Sequence, residues 1–242
     1  MPKISIIIPL APKEKAWKAL LPDLNQLQNK VEILFIITDE KQKESINAEN
    51  HFLPSSQPIT ATPIIRWIVS STAGRAQQLN MGAKVACHEF LWFLHADSRF
   101  TGNTFSALLN SIKLAPDALH YFNLKFTDNL FLMKLNAIGV WLRSHLLGSP
   151  FGDQGFCIRK SLFNKAGKYP ENVTYGEDHL FVWAAKRQGV KLRCTGASLS
   201  TSARKYIDHG WLSTTLQHQF LWFKQVIPEW LKQIRHKITR AQ

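Results

Sequence analysis

The sequence has 242 residues, of which 45% are hydrophobic and 11% aromatic, a composition typical of a folded globular protein. It excludes an intrinsically disordered chain. The formal net charge of +13 is compatible with nucleic acid, an anionic membrane surface or phosphate-bearing small molecules as partners. Because the basic residues are spread along the chain and no recognition motif accompanies them, we expect no nucleic-acid partner.

The three cysteines, Cys87, Cys157 and Cys194, are far apart and form no Cys-x-x-Cys pair. We therefore expect small core residues in a reducing compartment rather than a zinc site or a disulfide. No uncharged apolar stretch reaches the length of a membrane span, because Lys134 and Arg143 interrupt the best candidate. The sequence thus predicts a cytoplasmic protein, with a peripheral contact at the inner face of the membrane as a further expectation.

The first part of the chain alternates short apolar runs with segments of helical spacing, the pattern of an α/β fold. Strands are predicted for residues 5–9, 32–37 and 64–69. Residues 16–27 have apolar side chains at helical spacing and are expected to pack on the sheet. Residues 41–63 are polar and contain three prolines, which favours a loop or a weak helix.

The segment around which the chain is organised is residues 89–98, Glu-Phe-Leu-Trp-Phe-Leu-His-Ala-Asp-Ser. Its apolar run predicts a central strand buried on both faces. Ligands of open α/β sheets bind beyond the carboxyl ends of the strands, and we expect His95 and Asp97 to point from the strand end into that crevice. A rigidly held carboxylate suits a hard divalent cation that also binds phosphate oxygens. The alternative is a surface aspartate that closes a turn.

Just before this strand, Gly74 and Arg75 precede a predicted helix over residues 76–87. A helix N-terminus beside an arginine is a natural anion site, and this one is expected to face the same crevice as Asp97. A solvated arginine is the alternative. The succession of strand, helix and strand predicts parallel pairing.

The second half of the chain continues the alternation of helices and strands. Helices are predicted for residues 105–114, 130–147 and 178–188, and strands for residues 119–126, 156–159 and 190–197. The strand over 119–126 alternates apolar and polar residues, which indicates a half-exposed strand. The aromatic stripe of the helix over 130–147 favours core packing or a partner-helix surface over a cofactor site.

Two polar segments interrupt this half. Asp153 and Gln154 lie between glycines in the loop 148–155, where the backbone either approaches a ligand closely or simply turns. Glu177 and Asp178 open a helix, a position that favours acidic residues on electrostatic grounds alone.

The last part of the chain, residues 211–240, is predicted to be helical and broken at Pro228. It combines aromatic side chains with lysines and arginines. Such a helix lies well on an anionic membrane interface, and the alternatives are packing on the core or on a second subunit.

Several of these segments carry a resemblance to a known family. They are residues 5–9, 74–83 (Gly-Arg-Ala-Gln-Gln-Leu-Asn-Met-Gly-Ala), 93–98 (Phe-Leu-His-Ala-Asp-Ser), 152–155 (Gly-Asp-Gln-Gly), 176–178 (Gly-Glu-Asp) and 201–204 (Thr-Ser-Ala-Arg). Taken in this order, the chain resembles a family 2 glycosyltransferase of the GT-A fold, from a small bacterial subgroup associated with radical-SAM/selenodomain loci. The resemblance implies a mostly parallel, Rossmann-like central sheet flanked by helices, with a C-terminal amphipathic helical extension.

The resemblance also implies substrates and a cofactor. A nucleotide-sugar donor, either a UDP- or a GDP-sugar, would bind over the N-terminal half, and an unknown hydroxyl acceptor would bind over the C-terminal half. Asp97 stands at the family's D-x-D motif, which holds a divalent metal (Mn²⁺ or Mg²⁺) against the donor diphosphate. His95 stands in place of the first acid of that motif. Donor contacts are expected from Pro9, Asp39, Arg75, Asn80, His95, Asp97 and Arg204.

For the transfer step, the resemblance places Asp153 and Gln154 near the acceptor and the donor sugar. Glu177 and Asp178 match the E-D pair that supplies the catalytic base in inverting members, so Asp178 is the expected base, with Glu177 as the alternate. Such a carboxylate contributes about 10²–10⁴-fold when it lies within hydrogen-bond reach of the hydroxyl. Metal and arginines would compensate the charge of the departing diphosphate.

The expected organisation is a GT-A catalytic domain over residues 1–205, followed by a helical extension over residues 206–242. Within the domain, residues 1–100 form the nucleotide-sugar half and residues 101–205 the acceptor half. The extension is expected to contact a membrane or a second subunit through residues 211–240. Two alternatives to the enzyme stay open. One is a catalytically degenerate GT-A-fold scaffold that docks at a membrane, and the other is a nucleic-acid-binding protein.

Overall fold

The computed structural model describes residues 2–27, 31–49, 63–128 and 130–241. The described strands form a seven-stranded sheet in the order β3-β2-β1-β4-β6-β5-β7. They are β1 (Ile4–Pro9), β2 (Val31–Ile37), β3 (Ile64–Val69), β4 (Phe90–Phe93), β5 (Ala118–Phe126), β6 (Cys157–Arg159) and β7 (Lys191–Thr201). β6 is antiparallel to both of its neighbours, and the other pairs are parallel. The mostly parallel sheet expected from the sequence is confirmed.

The described helices alternate with the strands up to β6, and two successive helices follow each of β6 and β7. They are α1 (Trp17–Asn25), α2 (Glu40–Glu49), α3 (Arg75–Val85), α4 (Gly102–Leu114), α5 (Phe131–Leu146), α6 (Lys160–Lys165), α7 (Glu177–Arg187), α8 (Arg204–His209) and α9 (Trp211–Ala241). A 3₁₀ turn spans Gly152–Gln154. The region predicted as a loop or a weak helix contains α2, and residues 50–62 lie outside the described residues.

The core consists of two apolar layers, one on each face of the sheet. Successive residues of a strand point to opposite faces, so Trp92 packs in one layer and Phe93 in the other. α1 and α4 cover the first layer, whereas α3, α6 and α7 cover the second. The inner strands are apolar at nearly every position because both of their faces are buried.

Four details differ from the sequence-based expectations. β5 is more buried than its alternating pattern indicates, since it lies between β6 and β7 rather than at an edge. β4 ends at Phe93, so His95 and Asp97 stand in the turn after the strand and not on its last pleat. β7 runs on to Thr201 because it pairs with β5 over the whole of that strand. α9 continues through Pro228 instead of breaking there.

The cysteines meet the core expectation only in part. Cys157 is buried in β6, Cys194 is half-buried in β7 and Cys87 is exposed. All three are free thiols. The Cys87 thiol lies near a charged pair, where it donates to Glu32 (Sγ to Oε1, 3.2 Å) beside Arg66.

α9 packs against α7 and α8, and a buried ion pair joins it to α7. Glu229 of α9 is 4% exposed and accepts from Arg187 of α7 and from Lys232 (Nζ to Oε1, 2.6 Å). Among the described residues, no helix is both long enough and apolar enough to cross a bilayer. The division at residue 205 remains a prediction.

Candidate functional site

A cavity of about 780 Å³ opens beyond the carboxyl ends of the central strands. Phe126 at the end of β5, Thr201 at the end of β7 and the turn after β4 contribute to its wall. This is the position at which open α/β sheets bind ligands. The predicted site residues that line it are Arg75, His95, Asp97, Asp153, Glu177, Asp178 and Arg204.

Arg75 connects three segments at this cavity. It is the first residue of α3, and its guanidinium contacts His95 in the turn after β4. Nη1 lies 3.2 Å from Glu177 Oε1, and Nη2 lies 3.9 Å from Asp178 Oδ2, so the same side chain also meets the start of α7. Its side chain is 38% exposed and lies at the N-terminus of α3. The guanidinium charge and the helix dipole both favour binding of an anion at this position.

Asp97 is held against the end of β7. Its Oδ2 accepts a hydrogen bond from Thr201 Oγ1 at 3.1 Å. The two segments are brought together by a backbone bridge, because Arg99 and Ser200 exchange N–H···O bonds of 2.8 and 2.9 Å. The carboxylate is half-buried and lines the cavity, so it is held in place but accessible to a ligand.

Asp178 lies at the start of α7 and binds the 3₁₀ turn. Gly176 precedes the helix with φ 72°, a left-handed conformation that places the acidic pair at the cavity. Asp178 Oδ2 accepts from the backbone N–H of Gly152 at 2.6 Å, and Oδ1 accepts from the N–H of His179 at 2.9 Å. Both oxygens are therefore engaged, and the carboxylate fixes the turn that carries Asp153.

Asp153 is a carboxylate with unusual surroundings. Burial raises its pKa to about 6, against the opposing effect of the Arg143 guanidinium, and the nearby charge of Asp178 adds to the rise. Its Oδ1 is buried without a hydrogen-bond partner in the described structure. Ionised Asp153 would thus be a poorly solvated carboxylate at the wall of a ligand-sized cavity, the environment expected of a proton acceptor.

Arg143 was not identified from the sequence as a site residue, although it lines the cavity. Its guanidinium lies 3.4 Å from the centroid of the Phe151 ring, and Nε donates to the carbonyl of Ser149 at 3.0 Å. Burial lowers the pKa of Arg143, and Nη2 has no partner among the described residues. A lone arginine within an apolar helical stretch was the available signal, since such a residue is seldom buried without a role.

His179 is a second lining residue that sequence reasoning missed. Burial lowers its pKa to about 4, so its ring is neutral at pH 7. Nε2 accepts from Trp183 Nε1 at 2.8 Å, which places the ring proton on Nδ1. The ring also packs edge-on against Phe151 and so supports the aromatic contact of Arg143.

Four predicted site residues do not line this cavity, and two of them lie at the carboxyl ends of β1 and β2. Pro9 ends β1. Asp39 follows β2, is exposed, and accepts from the backbone N–H of Gln42 at 2.7 Å, which caps the start of α2. The structure thus gives Asp39 a local structural contact at the end of β2.

The other two residues are engaged in structural hydrogen bonds. Asn80 donates to the carbonyl of Tyr169 at 2.9 Å and to Glu171, and so ties α3 to the segment before α7. Gln154 is fully buried. It donates to the Phe122 carbonyl at 2.9 Å and accepts from Ser144 at 2.8 Å. Both amides therefore face the protein, where they position the site rather than line it.

Comparison with known proteins gives structural neighbours only. No family model matches the chain, and no curated protein sequence is significantly similar to it. The mannosyltransferase PcManGT from Pyrobaculum calidifontis, solved with GDP-Man and Mn²⁺, has a TM-score of 0.65 at 17% identity, over 98% of this chain and 69% of that one.

S. aureus TarS 1–349 has a TM-score of 0.60 at 17% identity, over 83% of this chain, and the match spans 60% of the TarS chain. The same fragment in complex with UDP-GlcNAc gives a TM-score of 0.56. At this identity the likeness concerns the fold. The seven-stranded mixed sheet, its flanking helices and these neighbours establish that the chain has the GT-A fold of glycosyltransferases.

Proposed function

We propose that this protein is a glycosyltransferase that moves a sugar from a nucleotide-sugar donor to a hydroxyl acceptor. The observation that carries the proposal is the convergence of Arg75, Asp97 and two further aspartates, Asp153 and Asp178, on one cavity at the strand ends of a GT-A fold. A diphosphate leaving group needs cationic compensation, and an acceptor hydroxyl needs a base. The UDP-GlcNAc and GDP-Man complexes of the neighbours support a UDP- or GDP-sugar as donor.

We further propose a divalent cation, Mn²⁺ or Mg²⁺, held by Asp97. Among the described residues, no cluster of three His, Cys, Asp or Glu side chains suits a metal ion. One carboxylate nevertheless fits a cation that takes its remaining ligands from water and substrate phosphates. When bound, such an ion neutralises charge on the departing diphosphate. The Mn²⁺ in the mannosyltransferase complex supports this assignment.

Arg75 and Arg204 are proposed to contact the diphosphate. Arg75 lies at the N-terminus of α3, where backbone dipole and guanidinium both favour an anion. Arg204 lines the same cavity from the start of α8, and Nη2 lies 3.7 Å from Glu14 Oε2. The contact of His95 with Arg75 gives the histidine a positioning role beside the donor.

Two carboxylates compete for the role of general base. Asp178, the residue expected from the sequence, has both oxygens bonded to backbone N–H groups, and these bonds hold the turn that carries Asp153. Asp153 has an unpartnered buried oxygen and a pKa of about 6, close to the value that suits a base near neutral pH. We therefore propose Asp153 as the proton acceptor, with Asp178 positioning its turn and Glu177 holding Arg75.

Attack by the acceptor on the face opposite the diphosphate would invert the anomeric configuration, and we propose an inverting reaction. Membership of family 2 and of the radical-SAM-associated subgroup are further proposals, which the sequence motifs support. The proposed acceptor is a compound that carries a hydroxyl group.

Thermal shift with UDP- and GDP-sugars, with and without Mn²⁺, tests the proposal. We expect a metal-dependent rise in melting temperature for one donor class. Asp97→Ala should abolish that rise, whereas Asp117→Ala, which removes a 76% exposed carboxylate after α4, should leave it intact. If the folded protein shows no thermal shift with any donor, the degenerate scaffold is favoured. If it also binds RNA in a salt-sensitive manner, a nucleic-acid-binding protein is favoured.

A further inference from the structure

α5 carries an apolar stripe that faces solvent. Its members follow one another at intervals of three or four residues, so they share one side of the helix. They are Phe131, Leu135, Ile138, Leu142 and Leu146, with exposed fractions from 43% to 72%. Only Met133 and Ser144 of α5 are buried. A stripe of this length is larger than the single exposed apolar residues that are normal on protein surfaces.

α9 carries a second stripe of the same kind. Its members are Leu212, Leu216, Phe220, Phe223, Ile227 and Trp230, each at least half exposed. Their spacing again repeats every three or four residues, so they form one line along the helix. Two independent helices of one chain thus present uncovered apolar lines.

Both helices also form walls of the cavity. From α5, Asn136, Val140 and Arg143 line it, and from α9, Trp211 and Trp222 do so. The inward sides of the two helices therefore bound the proposed substrate site, while their outward sides carry the stripes.

At the rim, the cavity and a stripe share a residue. Leu135 lines the cavity and is also 43% exposed as a member of the α5 stripe. The apolar surface is thus continuous with the mouth of the cavity.

The charges beside the stripes are almost all positive. α5 contains no aspartate or glutamate, and Lys134 is exposed on it. α9 adds the exposed Lys224 and Lys232, and its acidic residue, Glu229, is buried against α7. The exposed carboxylate closest in sequence, Asp208, lies in α8 and outside both stripes.

This distribution separates two occupants of the surface. A second copy of the chain packed stripe to stripe would bring lysines against lysines, whereas paired helices are stabilised by opposite charges beside the apolar seam. An anionic bilayer attracts the lysines and accepts leucine, phenylalanine and tryptophan side chains at its interface.

We infer that the α5 and α9 stripes seat the protein on an anionic lipid bilayer, with the mouth of the cavity at the membrane surface. The docking extends the contact expected for residues 211–240 to a second helix. It stands independently of the proposed transfer reaction; only its consequence, that the acceptor is presented by the membrane, rests on the proposed function.

Flotation of the full chain with vesicles tests the inference. We expect binding to vesicles of equimolar phosphatidylcholine and phosphatidylglycerol, weaker binding to phosphatidylcholine alone, and a decrease at high salt. Leu142→Glu on α5 and Phe220→Glu on α9 should each lower the partition onto anionic vesicles about tenfold or more. Leu114→Glu is the matched control, since Leu114 is 72% exposed at the end of α4, and it should bind like the wild type.

Further measurements keep the outcomes distinct. The donor-dependent thermal shift should be unchanged in all three variants, because none of these residues lines the cavity. If the wild-type protein binds vesicles but shows no donor-dependent thermal shift, the proposed transferase activity is contradicted and the proposed membrane docking is not. Equal flotation of all variants would overturn the docking, as would light scattering that shows a wild-type dimer converted to a monomer by Phe220→Glu.

Discussion

Asp153 and Asp178 line the same cavity, but their oxygens are occupied differently. Asp178 is bound by two backbone N–H groups, whereas Asp153 retains a buried oxygen without a partner. Burial of a carboxylate without hydrogen-bond partners favours its protonated form, and burial raises the pKa of Asp153 accordingly. Two aspartates in one site are thus suited to different tasks.

The first prediction concerns the pH dependence of turnover. A base with a pKa of about 6 must lose its proton to act, so kcat/KM should rise with pH through about 6 in the wild type. Asp153→Asn should lower kcat by roughly 10²–10⁴-fold and remove that limb. Steady-state rates across the pH range provide the measurement. If Asp178→Asn removes the limb and Asp153→Asn keeps it, Asp178 is the base.

The same residue predicts a change in stability. The pKa of Asp153 is raised from 3.8 to about 6, so its favourable contribution is present below about pH 4 and is lost as pH rises through 6. Asp153→Asn should therefore raise the free energy of unfolding by about 1–3 kcal/mol above pH 6, relative to its effect at pH 4. The titratable and charged groups around this carboxylate are Arg143, Asp178, Arg75, Asp97 and Tyr206. Urea unfolding of both proteins at pH 4 and above pH 6 provides the measurement. An equal effect of Asp153→Asn at the two pH values would contradict the raised pKa.

A further prediction concerns Gly152, where a methyl group has no room. A Cβ at this position would lie 2.4 Å from Asp178 Oδ2 and 2.9 Å from Arg75 Nη2. Gly152→Ala should displace both side chains and reduce kcat by roughly 10²-fold, since displacements of about 1 Å have such effects in active sites. Gly102→Ala, which meets no atom within 4 Å, is the control in the same assay. Normal activity of Gly152→Ala would show that the Asp178 contact is dispensable.

At the scale of elements, the site is assembled by the starts of helices and the ends of strands. α3 supplies Arg75, α7 supplies Asp178, and the turn after β4 supplies Asp97. α9 covers the start of α7, where Gln225 donates to the Tyr175 carbonyl at 2.8 Å. The position of α9 is thus linked to the cavity through α7.

The contact between α7 and α9 yields the prediction at this scale. Glu229→Gln removes the charge of a carboxylate that is buried between Arg187 and Lys232. Removal of one partner of a buried ion pair costs about 3–5 kcal/mol of stability. Because Arg187 is partly exposed, we expect a cost of about 3 kcal/mol or less for this pair. We expect faster proteolytic cleavage within α9 while the sheet stays protected in hydrogen exchange. Cleavage at the wild-type rate would mean that apolar packing alone holds α9.

For the whole molecule, acid stability depends on buried histidines. His120 is fully buried in β5, its Nδ1 lies 2.9 Å from Ser111 Oγ, and burial lowers its pKa to about 4. The neutral ring therefore stabilises the fold above the ordinary histidine pKa of 6.5, and this contribution is lost as pH falls from 6.5 to 4.

The loss predicted for His120 is about 3 kcal/mol. His120→Asn, which does not titrate, should unfold with a shallower pH dependence between these limits in chemical denaturation. The buried His179 has a pKa lowered in the same direction, so some dependence should persist in the variant. If the free energy of unfolding of the variant depends on pH as steeply as that of the wild type, the titration of His120 does not cause the acid sensitivity.

Much of the fold was predictable because strand signals are local. The strand over residues 64–69 coincides with β3, and the central strand, the helix after Gly74 and the helix at Asp178 lie within a few residues of their predicted bounds. The burial of β5 was not predictable from its alternating pattern, since it depends on which strands lie beside it.

The site was predictable only in part, for the same reason. Arg75, Asp97 and Asp178 come to one cavity, as expected from strand ends and helix starts. Asn80 and Gln154 have side-chain amides of the kind that often bind ligands, yet each amide donates a hydrogen bond to a backbone carbonyl of the protein. The sequence does not reveal which partner an amide meets, and Arg143 and His179 entered the site through packing of helices distant in the chain.

The class of fold, the order of its elements and the residues at their ends follow from the sequence, because backbone geometry and side-chain periodicity act over a few residues. Only the folded chain shows which of those ends meet, which carboxylate is desolvated and which helix faces remain uncovered. Desolvation, ion pairing and exposure depend on neighbours that are far apart in the chain, and folding brings those neighbours together.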